Sequence, residues 1–153
     1  MRVRIDAAIL VRALVSPRGP AARLLSDLSA PHHRIVLSMY ILEELERVLS
    51  YPRIQAMRSG NSPPTHEHLS KLRKICEMVA PEPAIPIVLN DAKDDPVLYT
   101  AVSEKVDCLC TPDRHFYAAN VLDFCKAHGI RVMNDVQLIR ELLLGGAAEG
   151  HYA

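Results

Sequence analysis

The chain has 153 residues, and its 18 Lys plus Arg balance 18 Asp plus Glu, so the formal net charge is zero. With 49% hydrophobic and 24% charged residues, this is globular composition and excludes a disordered tail protein. No apolar run approaches the ~20 residues that a membrane span needs. The residues after Met1 carry neither the apolar core nor the cleavage site of a secretory leader, so a cytoplasmic protein is expected. Neutrality removes the crude argument for nucleic-acid binding but leaves room for local basic patches.

Val3-Arg4-Ile5 reads as a first strand running into Asp6. A helix is expected over Ala7–Val15, with Ile9, Leu10, Ala13 and Leu14 on one stripe. The breakers between Ser16 and Pro20 separate it from a second helix over Ala21–Leu28. Arg34–Ser38 is a buried strand by its apolar run, and Met39–Leu49 is a helix that Tyr51-Pro52 stops. After a polar, Pro-rich loop over 60–64, Thr65 is expected to cap a helix that reaches about Met78. Ile87-Val88-Leu89 is extended or loop-like, and Asp95-Pro96 starts a helix as cap and first residue. Val106–Cys110 is a strand ended by Thr111-Pro112-Asp113. Tyr117–His128 is helical and closed by Gly129. Ile130–Met133 is a last strand, and Asn134 or Asp135 caps a final helix that Gly145-Gly146 ends. Residues 147–153 are expected to be a flexible tail beyond a domain of residues 1–146.

Short, almost wholly apolar strands alternating with helices imply an α/β fold. Three α/β/α layers around a short, mainly parallel sheet are expected, with right-handed crossovers. In such folds chemistry sits beyond the carboxyl ends of the strands. Asp6 and Asp113 fall there, Asp94 and Asp95 open the helix leading to one strand, and Glu44 lies in the helix following another. Asp95 before Pro96 reads as a cap, and Glu43, Glu44 and Glu46 share a helix whose solvated face accounts for part of their charge. Asp6, set between Ile5 and the apolar run from Ala7, is costly to bury without a role. Carboxylates gathered from separate segments repel one another and recruit cations. Hard oxygen donors favour Mg²⁺ or Mn²⁺ over Zn²⁺ and suit phosphoryl chemistry.

These residues resemble a PIN domain, and within that family the stand-alone bacterial toxins of the VapC-like type. The likeness runs from Val3-Arg4-Ile5-Asp6 to the last helix. Ile9 to Gly19 is similar to the family's first helix and turn. Ser38-Met39-Tyr40-Ile41-Leu42-Glu43-Glu44-Leu45 is similar to the second acidic motif. Asp91-Ala92-Lys93-Asp94-Asp95-Pro96 is similar to the third, and Val106 to Asp113 to the fourth. The resemblance implies a Rossmann-like PIN fold and a Mg²⁺- or Mn²⁺-dependent endoribonuclease. It also implies a homodimer and a cognate antitoxin protein as partner. Carried over, Asp6, Glu44, Asp94 and Asp113 are the catalytic and metal-binding acids, and metal-activated hydroxide attacks an RNA phosphodiester. The family usually continues its first Asp with Thr-Asn, where this chain has Ala7-Ala8. Loss of such outer-shell groups lowers metal affinity or activity ~10–100-fold. The alternative is therefore a weak or inactive PIN-like module that binds RNA or a protein.

Arg12, Lys93 and Arg114 adjoin the acidic motifs and are candidate RNA-phosphate contacts. Cys76, Cys108, Cys110 and Cys125 form no CxxC pair and read as buried small hydrophobes. His66-Glu67-His68 lacks the spacing of a zinc helix and reads as a wet helix face, and Tyr99 and Tyr117 read as packing residues. No Gly-rich phosphate loop or Ser nucleophile elbow is present. A receiver-like signalling domain needs an acidic cluster that Asp6-Ala7-Ala8 does not supply.

Overall fold

Parallel pairing dictates the architecture seen in the computed structural model, which describes residues 1–58, 60–80 and 95–149. The elements run β1 (Arg2–Ile5), α1 (Ala7–Val15), α2 (Pro20–Leu28), β2 (Arg34–Ser38), α3 (Met39–Leu49), α4 (Pro52–Met57), α5 (Thr65–Ile75) and β3 (Glu77–Val79). They continue with α6 (Asp95–Ser103), β4 (Cys108–Cys110), a 3-10 turn (Arg114–Tyr117), α7 (Ala119–Ala127), β5 (Arg131–Met133) and α8 (Asp135–Glu149). The five strands form one sheet in the order β3-β2-β1-β4-β5, every pair parallel. A strand pairing parallel with its neighbour needs a long crossover, which the helices provide.

Consecutive residues of a strand point to opposite faces. Val3, Arg4 and Ile5 on β1, Ile35 to Leu37 on β2 and Cys108 to Cys110 on β4 are all buried. Both faces of the sheet are therefore covered, as expected for three layers. Among the described residues no helix is long and apolar enough to cross a membrane.

Register positions the site. Arg4 pairs with Val36 and with Leu109, and Ile5 pairs with Cys110. One step beyond, Asp6 stands level with Ser38 on one side and Thr111 on the other, and the Asp6 amide donates to Cys110 O at 3.0 Å. Three neighbouring strands thus deliver polar residues to the same edge.

Several local expectations give way to the observed packing. Tyr51-Pro52 does not simply stop α3, because Pro52 takes the first position of α4, where its missing N–H costs nothing. Pro64, not Thr65, occupies the cap position of α5. That helix ends at Ile75, and Glu77–Val79 pairs with Val36–Ser38 as an edge strand. Sheet pairing overrides the helical periodicity there. Gly145-Gly146 does not end α8, which continues to Glu149. Asn134 is the cap of α8: its Oδ1 accepts from the Gln137 amide at 2.8 Å, and Gln137 Oε1 accepts from the Asn134 amide at 2.9 Å. Gly129 closes α7 with φ +72°, the left-handed region that favours glycine.

Candidate active site

Asp6 follows β1 and precedes the first turn of α1. Its carbonyl accepts from Ile9 and Leu10, but its side chain makes no capping bond. The carboxylate turns instead to β4, where Oδ2 accepts from Thr111 Oγ1 at 2.6 Å. The same hydroxyl accepts from the Asp113 amide at 3.1 Å. One fully buried threonine therefore ties Asp6 to the loop that carries Asp113, using the donor and an acceptor of one hydroxyl. Asp113 Oδ1 accepts from the His115 amide at 3.0 Å and faces His115 Nδ1 at 3.7 Å.

Glu44 lies a turn and a half into α3, with Arg47 Nη2 at 3.9 Å from Oε1. The sequence reading did not single out Arg4, two residues before Asp6. Arg4 is wholly buried on the central strand and donates Nη1 to Ile5 O at 3.1 Å. Desolvation pushes its pKa down to about 10, and the carboxylates of Asp6 and Glu44 oppose that shift. The guanidinium thus stays charged at neutral pH and feels both acids. Ser38, level with Asp6, has a buried Oγ without a hydrogen-bond partner among the described residues.

Asp6 and Asp113 therefore share one sheet edge through Thr111, while Glu44 lies on α3, the helix that follows β2. Asp94 and Lys93 lie outside the described residues. Among the described residues no three His, Cys, Asp or Glu side chains form a group that could hold a metal. The donors present are hard carboxylate oxygens, which fit Mg²⁺ or Mn²⁺ in kind, and Asp94 is the fourth acid of the expected set.

Arg12 and Arg114 both line an open groove of about 480 Å³ with Pro112, Tyr117, Asn134, Asp135 and Val136. Arg12 Nη1 lies 3.5 Å from Asp135 Oδ1, and Asp135 is itself almost buried. Tyr117 donates its hydroxyl to Thr111 O at 2.8 Å, and burial pushes the phenol up to about 12, so it remains neutral. Tyr117 thereby braces the residue that anchors Asp6, beyond mere packing.

The four cysteines are free and buried. Burial pushes the thiols of Cys76 and Cys108 up to about 12 and that of Cys125 to about 11, and raises Cys110 as well. None is a thiolate nucleophile near neutral pH. His68 is buried on α5 and not on the wet face expected for it, with desolvation lowering its pKa.

The sequence profile described as PIN domain matches residues 2–115. No curated protein matches the chain. A solved structure similar to it is the crystal structure of VapBC2 from Rickettsia felis bound to a DNA fragment from their promoter. The likeness covers 88% of this chain and 98% of that one, with a TM-score of 0.59 and 14% identity. At that identity the likeness is one of fold.

Proposed function

The chain belongs to the PIN domain family, and from that premise we propose that it is a Mg²⁺- or Mn²⁺-dependent endoribonuclease. PIN domains are generally nucleases. The observation that supports the reading is the tie, through the Thr111 hydroxyl, between Asp6 and the loop that carries Asp113 at the carboxyl edge of the sheet. We assign Asp6, Glu44, Asp94 and Asp113 as the metal-holding acids. The ion, when bound, supplies the Lewis acidity that activates water and offsets charge on the phosphate. The protein's own part is positional. Thr111 fixes Asp6 Oδ2 and so orients the carboxylate. Arg12 and Arg114, on one groove, neutralise backbone phosphates, with Lys93 as a third candidate. A sequence-independent backbone grip of this kind fits a single-stranded RNA.

A toxin role in a toxin–antitoxin pair, in the cytoplasm and as a homodimer, belongs to the same proposal. Its support is the fold shared with a chain of the VapBC2 complex. The alternative reading is a weak or inactive module that binds RNA or a protein. Ala7-Ala8, which places no polar group after Asp6, and the buried Arg4 favour it.

Cleavage of a labelled single-stranded RNA in Mn²⁺ separates the two. The enzyme reading expects products that vanish in chelator and in Asp6→Asn. Cleavage that survives both excludes this site, and no cleavage under any condition, with RNA still bound, selects the module.

A further inference from the structure

Pro112 and Arg114, the residues on either side of Asp113, both line the open groove. Of the charged residues in its lining, Arg12 and Arg114 are opposed by Asp135, whose Oδ1 lies 3.5 Å from Arg12 Nη1. A single surplus positive charge is left, and at an open, wet surface such a charge contributes little. Binding here needs a second contribution, and the rest of the lining offers one. Val136, on the first turn of α8, stands 53% exposed and shares the groove with Pro112 and Tyr117. A tyrosine ordinarily buries its ring and leaves its hydroxyl in water. Here the hydroxyl donates at 2.8 Å to the carbonyl of Thr111, a fully buried residue, while Tyr117 itself is only partly buried and lines the groove. With the donor engaged inside the protein, what Tyr117 offers the groove is its ring. The same bond fixes the ring in advance, so little freedom is lost when a ligand stacks on it.

A fixed aromatic ring, aliphatic neighbours and a small cationic surplus match a nucleotide, which brings an apolar base face and a phosphate charge. A paired duplex presents no free base face, and a plain anion makes no use of a ring. We propose that Tyr117 is a stacking platform for one unpaired base of the substrate RNA, with Pro112 and Val136 beside the base and the arginines on its phosphates. The identity of the ligand rests on the ribonuclease reading above. Tyr117 is tied to Thr111, whose hydroxyl holds Asp6 and the Asp113 amide. The stacked base therefore sets the register of the strand against those two acids. Stacking reads no base edge, so the platform requires an unpaired base of any identity.

Binding is measured in chelator, so that neither metal nor cleavage enters. The probe is a short single-stranded oligoribonucleotide, abasic throughout except for one fluorescent purine analogue that aromatic stacking quenches. Its control is the wholly abasic oligomer of the same length. Wild type is expected to quench the purine and to bind the probe about tenfold or more tightly than the control. Tyr117→Leu is expected to bind both oligomers alike without quenching, and Tyr117→Phe, which keeps the ring, to recover both effects. Equal affinity of wild type for the two oligomers, or quenching that survives in Tyr117→Leu, overturns the platform and leaves RNA binding standing. A Phe variant as impaired as the Leu variant also overturns it, because the hydroxyl is then the working group. Failure of wild type to bind ordinary single-stranded RNA overturns the platform together with the reading it rests on. The two-oligomer comparison on wild type decides the matter even where a variant fails to fold.

Discussion

Thr111 shows how much a single hydroxyl contributes at this edge. It donates to Asp6 Oδ2 and accepts from the Asp113 amide, and its own carbonyl accepts from Tyr117. Replacing it by Val leaves a part-buried carboxylate and an amide without their shared partner. Thr111→Val is expected to lower unfolding free energy by about 2 kcal/mol, the range for a hydrogen bond to a charged group. Thr111→Ser keeps the hydroxyl and is expected to recover most of that loss. Urea titration of the two variants checks it; equal stability of Ser and Val variants would assign the role of Thr111 to its methyl group instead. The sequence reading singled out the acids because charge beside apolar runs is conspicuous. It passed over Thr111, since a threonine after a strand also suits an ordinary turn. It passed over Arg4 for a related reason: Val3-Arg4-Ile5 alternates like a strand with one wet face, whereas both faces of β1 are covered and Arg4 is buried.

At the scale of elements, the strongest local signals are those closed within a few residues. The reciprocal bonds between Asn134 and Gln137 start α8, and Asp135 is left to pair with Arg12 on the groove. Asn134→Ala is expected to cost about 1 kcal/mol, the ordinary loss for such a cap, read as a lower thermal midpoint. An unchanged midpoint would mean that α8 is held by its packing against α2 alone. The sequence left Asn134 and Asp135 open as caps, because both residue types serve; the geometry decides for Asn134. Elsewhere distant contacts prevail over local pattern. Glu77-Met78-Val79 continues the apolar spacing of α5, yet β2 offers an open edge at Val36–Ser38 and the segment joins it. Pro52 opens a helix where the preceding residues suggested only a stop, since proline ends one helix and begins the next with equal ease.

For the whole molecule, alternation of apolar strands with helices is enough to yield a covered parallel sheet, and the carboxyl edge of that sheet is where polar residues are free to gather. The sequence carries this much because both are consequences of chain direction and burial. It does not carry register, and register is what sets Asp6 level with Ser38 and Thr111 and brings Arg12 and Arg114 onto one groove. The decisive claim of the proposed function is that Asp6 and Glu44, far apart in the chain, hold one divalent ion. Calorimetric titration of Mn²⁺ into wild type, Asp6→Asn and Glu44→Gln addresses it directly. Saturable binding in wild type, weakened about tenfold or more in each variant, is the expected result. Binding that neither substitution changes, or none in wild type, would contradict it.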